Sequence, residues 1–368
     1  MRPEKFSIAY YITPHGFGHA VRSLEILRRL LELKPDIDPI IVSDIPDGLV
    51  EQNLGILPPI RRIRLDVGLY QYDSLRFDLE KSLELLSGLL AESQNLIERE
   101  VAFLRRERVG VVVSDVAWLP LEAANRCGIP AIGIGNFTWD WIYSAYAAKD
   151  PRWRPIISTI RQGYEKCPLF LQLPMHGDCS VCPEIEDVPL VARKMEKSRD
   201  RVRSILGLGP GDRVILLAFV SLELDEVALR RIKNSDGIVF LYKSPMEFPV
   251  PGAIRLDGAP VSFPDVVGAA DAVLTKPGYG IVSDCLAQAT PMIYTERGLF
   301  PEYEVLVQAI ESNLASVFID SDNFNTGNWL PSINRILSLP RRVPDIAIDG
   351  AQICARKILK ALPASTRS

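Results

Sequence analysis

Short apolar segments alternate with amphipathic helical segments along almost the whole chain of 368 residues. The periodicity predicts strands at 6–12, 39–43, 60–65, 109–114 and 131–135 in the first half, and at 213–220, 237–242, 272–275, 292–294 and 315–319 in the second. Strands that alternate with helices in this way form parallel sheets covered by helices. The fold class is therefore predicted to be α/β.

Two domains are expected from this length. Between the two series of strands, residues 173–191 are rich in proline, cysteine and acidic residues and show no periodicity. We therefore predict an N-terminal domain over 1–172, a linker over 173–196 and a C-terminal domain over 197–345. Both domains are expected to be Rossmann-like and to face a cleft, with ligands at the carboxyl ends of the strands.

Composition narrows the class of protein. The chain is 47% hydrophobic and 24% charged, which is typical of a soluble globular protein, and no apolar run is long enough for a membrane span. Its N-terminus runs into a strand without an apolar signal segment, so a cytoplasmic location is expected. The net charge of −4 argues against nucleic acid as the main partner.

A glycine turn in the second half resembles a phosphate site. The predicted strand 272–275 runs into a loop with Gly278 and Gly280, and an amphipathic helix follows directly. Open N–H groups and the dipole at the start of that helix favour phosphate. Lys276 would neutralise more of a diphosphate, and Asp284 would accept a hydrogen bond from a ribose hydroxyl. The alternative is an ordinary turn that needs glycine for its backbone angles.

A second glycine turn follows the first strand and contains two of the three histidines of the chain, His15 and His19. Histidine is well suited to take a proton near neutral pH, so at least one of them is a candidate general base. The alternative is that one histidine caps the helix and the other is simply exposed.

Two further segments end at the same predicted crevice. The apolar strand 109–114 leads to Asp115, which would orient a histidine through one ring nitrogen or, alternatively, cap the following helix. The segment after the next strand contains Asn136, Trp139 and Trp141. Its tryptophans are candidates for the acceptor side because aromatic faces pack well against sugar rings, although core packing explains them equally well.

A metal site is only weakly indicated. His176, Cys179 and Cys182 lie close together, with Cys167 upstream, and this is a combination that binds zinc. No second Cys-x-x-Cys is present and the spacing matches no common zinc module. We expect no metal, and thiols that are unpaired or opportunistically oxidised.

Four motifs together resemble a known family. They are Tyr-Ile-Thr-Pro-His-Gly-Phe-Gly-His-Ala-Val-Arg (11–22), Val-Val-Ser-Asp (112–115), Asn-Phe-Thr-Trp-Asp-Trp-Ile-Tyr (136–143) and Lys-Pro-Gly-Tyr-Gly-Ile-Val-Ser-Asp (276–284). The chain resembles the GT-B glycosyltransferases, including the branch with the peptidoglycan GlcNAc transferase and the plant-type sugar transferases. It is most similar to the glycosyltransferase-like N-terminal region of L-arabinokinases. No Gly-Leu-Ser-Ser-Ser-type loop follows, so sugar phosphorylation is not predicted.

The resemblance implies a role for each matching position. His19 stands at the family's base histidine, with His15 as the alternative base, and Asp115 stands at its partner. A final helix at about 346–364 is expected to pack back on the first domain. The implied donor-binding residues are Lys276, Gly278, Tyr279, Gly280, Ile281, Asp284 and Glu302.

Two departures from the family pattern bear on donor binding. Asp284 stands where most members have a glutamate, and residues 221–225 read Ser-Leu-Glu-Leu-Asp where related transferases often have a glycine-rich turn.

The resemblance implies an inverting, metal-independent glycosyltransferase that needs no cofactor. Its donor would be a nucleoside-diphosphate sugar, with a UDP-sugar favoured, and its acceptor a hydroxyl group. The alternatives are a non-catalytic sugar-nucleotide-binding or regulatory protein and a sugar-nucleotide epimerase.

Overall fold

The computed structural model describes residues 7–72, 76–235 and 237–363. The strands of this part of the chain are β1 (Ser7–Ile12), β2 (Asp38–Val42), β3 (Ile60–Arg61), β4 (Tyr70–Gln71), β5 (Phe77–Asp78), β6 (Val109–Asp115), β7 (Ala131–Gly135), β8 (Phe170–Gln172), β9 (Ile185–Asp187), β10 (Arg213–Ala218), β11 (Ile238–Tyr242), β12 (Ile254–Arg255), β13 (Ala272–Thr275), β14 (Met292–Tyr294) and β15 (Ser316–Phe318).

The helices of the same residues are α1 (Phe17–Leu33), α2 (Asp47–Leu54), α3 (Leu79–Ala91), α4 (Ser93–Arg106), α5 (Leu119–Cys127), α6 (Trp139–Ser144), α7 (Trp153–Tyr164), α8 (Arg199–Ile205), α9 (Glu226–Lys233), α10 (Phe263–Ala269), α11 (Tyr279–Gln288), α12 (Glu302–Asn313), α13 (Ser321–Asn325), α14 (Leu330–Ser338) and α15 (Gly350–Ala361). None of them is long and apolar enough to cross a membrane.

The first compact unit consists of the described parts of 1–70, 78–192 and 347–368. Its seven strands pair in the order β3-β2-β1-β6-β7-β8-β9, and every pair is parallel. The strands β1 and β6 are buried along their whole length because helices cover both faces of the sheet. A parallel sheet covered on both faces is the α/β architecture that the sequence predicts.

The last helix of the chain belongs to this first unit. Its residues Cys354, Ala355 and Ile358 are buried in the same core as Leu24 and Leu27 of α1. The helix α1 thus has the sheet on one side and α15 on another, and this packing holds it in place.

The second unit consists of the described parts of 71–77 and 193–346. Its six-stranded sheet has the order β12-β11-β10-β13-β14-β15, again with parallel pairs throughout. Its core contains Ile215, Leu274 and Ile293 from the sheet, together with Trp329 and Ile333 from the region of α14. The strands β4 and β5 form a separate two-stranded sheet.

Three sequence boundaries are corrected by the structure. The predicted strand 60–65 is limited to Ile60–Arg61, and the first helix begins at Phe17 instead of about Ala20. Residues 173–192, assigned above to a linker, belong to the first unit, where Ile185–Asp187 pairs with β8 as an edge strand. This strand has three residues and is partly exposed, so it lacks the apolar pattern from which strands are predicted.

Candidate active site

Each sheet has one point at which the strand order reverses. In the first unit this point lies between β1 and β6, and in the second it lies between β10 and β13. Loops that leave the carboxyl ends of the two strands at such a point form the usual ligand crevice of open α/β sheets. The turn with His15 and His19 follows β1, and Asp115 ends β6, opposite Ile12.

A glycine shapes the turn after β1. Gly16, the residue before α1, has φ 87° and ψ 157°, a backbone conformation open mainly to glycine. The helix begins directly after it, so His19 lies in the first turn of α1. Arg22 and Ser23 lie three and four residues further on and therefore share the face of His19.

Asp115 is the centre of a buried polar cluster. Its Oδ1 lies 2.7 Å from Nδ1 of His19, and its Oδ2 accepts a hydrogen bond of 2.7 Å from the hydroxyl of Ser23. Nε and Nη2 of Arg22 donate to the two carboxylate oxygens over 2.8 and 2.7 Å. The carboxylate of Asp115 is thus bound by side chains of α1, which accounts for its position without a capping role at α5, whose N-cap is Trp118.

The surroundings set the charge of both partners. Burial lowers the pKa of His19 and so does the charge of Arg22, while Asp115 raises it, and the net shift is downward. Burial alone would raise the pKa of Asp115, but Arg22 and His19 lower it well below its usual range. At neutral pH the pair therefore consists of a neutral imidazole and a carboxylate, which is the state that a general base requires.

His15 has a carboxylate partner of its own. Its Nε2 lies 3.3 Å from Oδ1 of Asp66, and Nε1 of Trp139 donates to Oδ2 of the same residue over 3.3 Å. The edge-to-face packing of His15 on Trp139, with ring centroids 5.6 Å apart, fixes the ring further. Both histidines of the turn thus lie beside an acid, but only His19 is hydrogen-bonded to its acid, over the shorter distance.

The predicted acceptor-side residues are largely engaged within the protein. Trp139 is 4% exposed and stacks on Tyr143. Asn136 is buried, accepts a hydrogen bond from Arg22 and donates one to the carbonyl of Pro174. Trp141 packs against Gly177, because a Cβ on that glycine would lie 2.4 Å from its ring. In this structure the packing alternative accounts for Trp139, and Asn136 supports Arg22.

In the second unit, the turn after β13 leaves the start of α11 open. Gly278 is extended, with φ −157°, so its backbone does not require glycine. Among the described residues, no heavy atom beyond its chain neighbours lies within 4 Å of a Cβ built there. Lys276 lies just before this position, and Tyr279, Gly280 and Ile281 form the first turn of the helix. Neither backbone strain nor packing among the described residues therefore explains the glycine at position 278.

Two acids lie near this turn. Asp284 is buried within α11, and burial raises its pKa to about 6 although Arg193 lowers it. Glu302 begins α12 and is 4% exposed. Nη1 of Arg297 lies 3.3 Å from a carboxylate oxygen of Glu302 and 3.3 Å from the carbonyl oxygen of Pro277, so it ties the acid to the glycine turn.

The loop after β10 faces the same end of the second sheet, since Ala218 and Thr275 are register partners. It lines a cavity of about 430 Å³ whose walls combine leucine, phenylalanine and proline side chains with three carboxylates. The lining residues are Leu222, Glu223, Leu224, Asp225, Leu229, Glu247, Phe248 and Pro249. Glu223 and Asp225 of this loop thus give the cavity negative charge.

The weak metal candidate does not assemble. In the described ranges, no group of three or more His, Cys, Asp or Glu side chains is arranged to hold a metal ion. His176 is instead bound to Gln172 and to the carbonyl of Gly177. Cys179 and Cys182 are buried free thiols, and the thiol of Cys167 donates to the carbonyl of Leu169 over 3.1 Å.

Sequence reasoning assigned no role to Arg22, although it ends the motif 11–22, and none to Ser23, Asp66 or Arg297. The sequence pattern could have pointed to Arg22 and Ser23, because their spacing from His19 puts all three on one helix face. Asp66 and Arg297 lie in irregular segments with no periodic signal, so only the folded chain shows their contacts.

The fold and these two sites define a class. Solved structures of glycosyltransferases share the architecture over nearly the whole chain, so the protein has the GT-B glycosyltransferase fold. The glycotransferase of kitacinnamycin has a TM-score of 0.65 at 16% identity and covers 98% of this chain and 100% of its own. A UDP-glucose: anthocyanidin 3-O-glucosyltransferase in complex with UDP has a TM-score of 0.59 at 12% identity, with 97% and 94% covered.

Two curated proteins are similar in sequence. L-arabinokinase of Arabidopsis thaliana is 32% identical over 353 residues, which is 94% of this chain and 33% of that protein. The chain thus spans about a third of the length of this relative. An uncharacterised glycosyltransferase of Methanopyrus kandleri is 23% identical over 285 residues, which is 72% of this chain and 80% of its own. No family model matches the chain, and the likeness to the peptidoglycan GlcNAc transferase branch stays a prediction.

Proposed function

We propose that the protein is an inverting glycosyltransferase that moves a sugar from a nucleoside-diphosphate donor to a hydroxyl acceptor. The observation that carries this proposal is the contact of 2.7 Å between His19 and Asp115 at the strand reversal of a GT-B fold. A binding protein has no need for a buried, neutral histidine held by a carboxylate, whereas a transferase needs a base there.

In the proposed reaction, His19 takes the proton of the acceptor hydroxyl. The acceptor oxygen bonds to the anomeric carbon from the face opposite the diphosphate, and the bond from that carbon to the diphosphate oxygen breaks. The electron pair leaves with the diphosphate, whose charge is stabilised by the N-terminus of α11 and by Lys276. These groups supply the positive charge that the leaving group needs, so the proposed reaction uses no metal ion.

The donor is proposed to bind the second unit. Gly278 leaves room for the diphosphate, Asp284 is the proposed partner of a ribose hydroxyl, and Glu302 is the proposed partner of the sugar hydroxyls. A UDP-sugar is favoured because the anthocyanidin glucosyltransferase with the same fold takes UDP-glucose and is seen with UDP.

A donor panel tests the proposal. The protein is incubated with UDP-, ADP-, GDP- and dTDP-sugars, with and without a mixture of hydroxyl acceptors, and the released nucleoside diphosphate is measured. Release from one donor by the wild type, and its loss in His19→Ala, is expected. No release from any donor, together with unchanged melting curves in millimolar nucleotide, would rule out the proposed donor site.

A non-catalytic sugar-nucleotide-binding protein is the second candidate. It is favoured by the carboxylates of Glu223 and Asp225 in the loop after β10, since negative charge there opposes a diphosphate. Binding of a nucleoside diphosphate without turnover of any donor, in wild type and His19→Ala alike, would support this candidate over the transferase.

A further inference from the structure

Arg22, the last residue of the motif 11–22, contacts both members of the candidate base pair. It donates hydrogen bonds to both carboxylate oxygens of Asp115, over 2.8 and 2.7 Å, and its Nη1 donates to the amide oxygen of Asn136. Its Nη2 also lies 2.9 Å from Nδ1 of His19. The side chain is 8% exposed, so these contacts are made away from bulk water.

These distances pose a question about the proton on His19. Its Nδ1 lies 2.7 Å from a carboxylate oxygen, which only accepts, and 2.9 Å from a guanidinium nitrogen, which only donates. A lone pair on Nδ1 would face the carboxylate oxygen as a second acceptor at 2.7 Å, which is strongly repulsive. A proton on Nδ1 satisfies the carboxylate, while Nη2 of Arg22 already has its own acceptor in Oδ1 of Asp115.

The balance therefore favours one tautomer, with the proton on Nδ1 and the lone pair on Nε2. This tautomer is the one that can remove a proton from a substrate. The two hydrogen bonds from Arg22 keep the carboxylate of Asp115 ionised and in position to accept the Nδ1 proton of His19, because a bidentate guanidinium–carboxylate pair is rigid as well as strong.

We propose that Arg22 is a positioning residue for the base: it fixes Asp115, and through Asp115 it holds His19 in the Nδ1-protonated tautomer. The inference rests on the proposed function in that it assigns His19 as the base. The tautomer of His19 and its dependence on Arg22 can be measured whether or not the protein turns over a donor.

The charge argument includes the groups that face His19 from each neighbouring element. The charge of Arg22 on α1 opposes an imidazolium at His19, as does the neighbouring ring of His15 in the preceding loop, whereas Asp115 on β6 and Asp66 in the segment after β3 favour one. Burial also opposes the charged ring, and the pKa of His19 is lowered. If the charge of Arg22 is removed, one of the charges that oppose protonation of His19 is lost and both acids remain. His19 should then protonate at higher pH.

The experiment uses nuclear magnetic resonance of the full chain labelled with ¹⁵N-histidine, which contains only three histidines to assign. His19→Gln identifies the His19 signals by their loss. In the wild type at pH 7.5 to 8, we expect a protonated Nδ1, an unprotonated Nε2 and a titration midpoint below the ordinary value of about 6.5. A protonated Nε2 in the neutral ring, or a midpoint at or above that value, would overturn the proposal without the use of any variant.

Arg22→Gln then tests the cause. The midpoint of His19 should rise by roughly one pH unit, because one neighbouring positive charge is lost. Arg22→Lys keeps the charge but loses the two-pronged contact, so its midpoint should stay low while the single-tautomer signature weakens. Arg28→Gln is the matched control, since Arg28 lies on the same helix but pairs with Glu25 and Glu32; the midpoint should not move.

Activity separates this proposal from the proposed function. If a donor is turned over, the acid limb of kcat against pH should move to higher pH in Arg22→Gln, with little change in donor KM. A midpoint that stays at the wild-type value in folded Arg22→Gln contradicts the positioning role. The expected tautomer and midpoints, with no turnover of any donor, would uphold the role of Arg22 while the transferase proposal fails. Should Arg22→Gln not fold, Arg22→Lys is the deciding variant: a single-tautomer signature of His19 as strong as in the wild type would contradict the positioning role, and a weakened one would support it.

Discussion

Asp284 and Asp115 are both buried carboxyl groups, yet their surroundings shift their pKa values in opposite directions. Asp115 accepts hydrogen bonds from Arg22 and Ser23, so its charged form is stabilised. Asp284 sits in α11 with its pKa raised by burial to about 6. A buried acid whose charged form is disfavoured is a cost to the folded protein, which a ligand hydroxyl would reduce.

Asp284→Asn should therefore stabilise the protein at neutral pH. A folded pKa of about 6 against an ordinary value of 3.8 corresponds to about 3 kcal/mol of lost stability when the group is ionised in both states. The sign is that of a raised acid: stability is full below about pH 4 and falls as the pH rises through 6. Urea unfolding at pH 4 and pH 8 measures it, with a gain of about 2–3 kcal/mol expected only at pH 8.

Asp265→Asn is the control for this prediction. Burial raises the pKa of Asp265, but hydrogen bonds from the backbone N–H groups of Lys197, Ser262 and Glu196 lower it below its usual value. Its replacement should destabilise the protein at pH 8. A gain for both variants, or for Asp284→Asn at pH 4 as well, would contradict the assignment of the cost to the ionised Asp284.

Two single substitutions decide which of the two histidines, His15 or His19, is the base. His19→Ala should lower kcat by roughly 10²–10⁴-fold, the usual contribution of a positioned base, with the donor affinity kept. His15→Ala should have a smaller effect because its acid partner is more distant, at 3.3 Å against 2.7 Å. Steady-state kinetics with the active donor measures both. An active His19→Ala beside an inactive His15→Ala would transfer the role to His15.

Among the helices and strands, the N-terminus of α11 can be tested directly as the proposed binding site of the diphosphate. Gly278→Val should abolish the thermal shift caused by a nucleoside diphosphate, because the new side chain occupies the ligand's space. It should leave the unliganded melting temperature almost unchanged, since the backbone is extended and a Cβ there has open space around it. For the wild type in ligand at 100 times Kd, the stabilisation is expected to be about 2.7 kcal/mol.

Gly211→Val is a matched control in the same unit. A Cβ at Gly211 also has open space among the described residues, but the residue lies before β10, at the opposite end of the sheet from the turn after β13. This variant should keep both its stability and its response to nucleotide. If Gly278→Val keeps the response too, the diphosphate does not bind at the start of α11.

The elements that the sequence predicted well are those with long apolar runs. The run 109–114 corresponds to the buried strand Val109–Asp115, and the stretch 131–135 is reproduced without change. Ile185–Asp187 was missed because an edge strand of three residues has too few side chains to show a period. The spacing of Arg22 and Ser23 from His19 places them on one helix face, but their contacts with Asp115 depend on the pairing of β1 with β6, which no local pattern contains.

At the scale of the whole molecule, each unit has its own hydrophobic core. The core of the first includes Ile358 of α15 and the buried face of α1. The core of the second includes Ile333 of α14 and the strands around β13. Both isoleucines are fully buried, so they form a matched pair of probes for the independence of the two cores.

Ile358→Ala should cost about 2–5 kcal/mol, the usual result of a cavity in a packed core, and Ile333→Ala should cost a similar amount. The site of the damage should differ because the two cores share no residue. Hydrogen exchange measured by mass spectrometry should show faster exchange in α1 and β1 for Ile358→Ala, and in β13 and β14 for Ile333→Ala. The nucleotide response, which is assigned to the second unit, should survive Ile358→Ala. An equal rise in exchange throughout the described chain for both variants would show that the two cores unfold as one, and the thermal shift would then report on the whole protein instead of on the donor-binding unit.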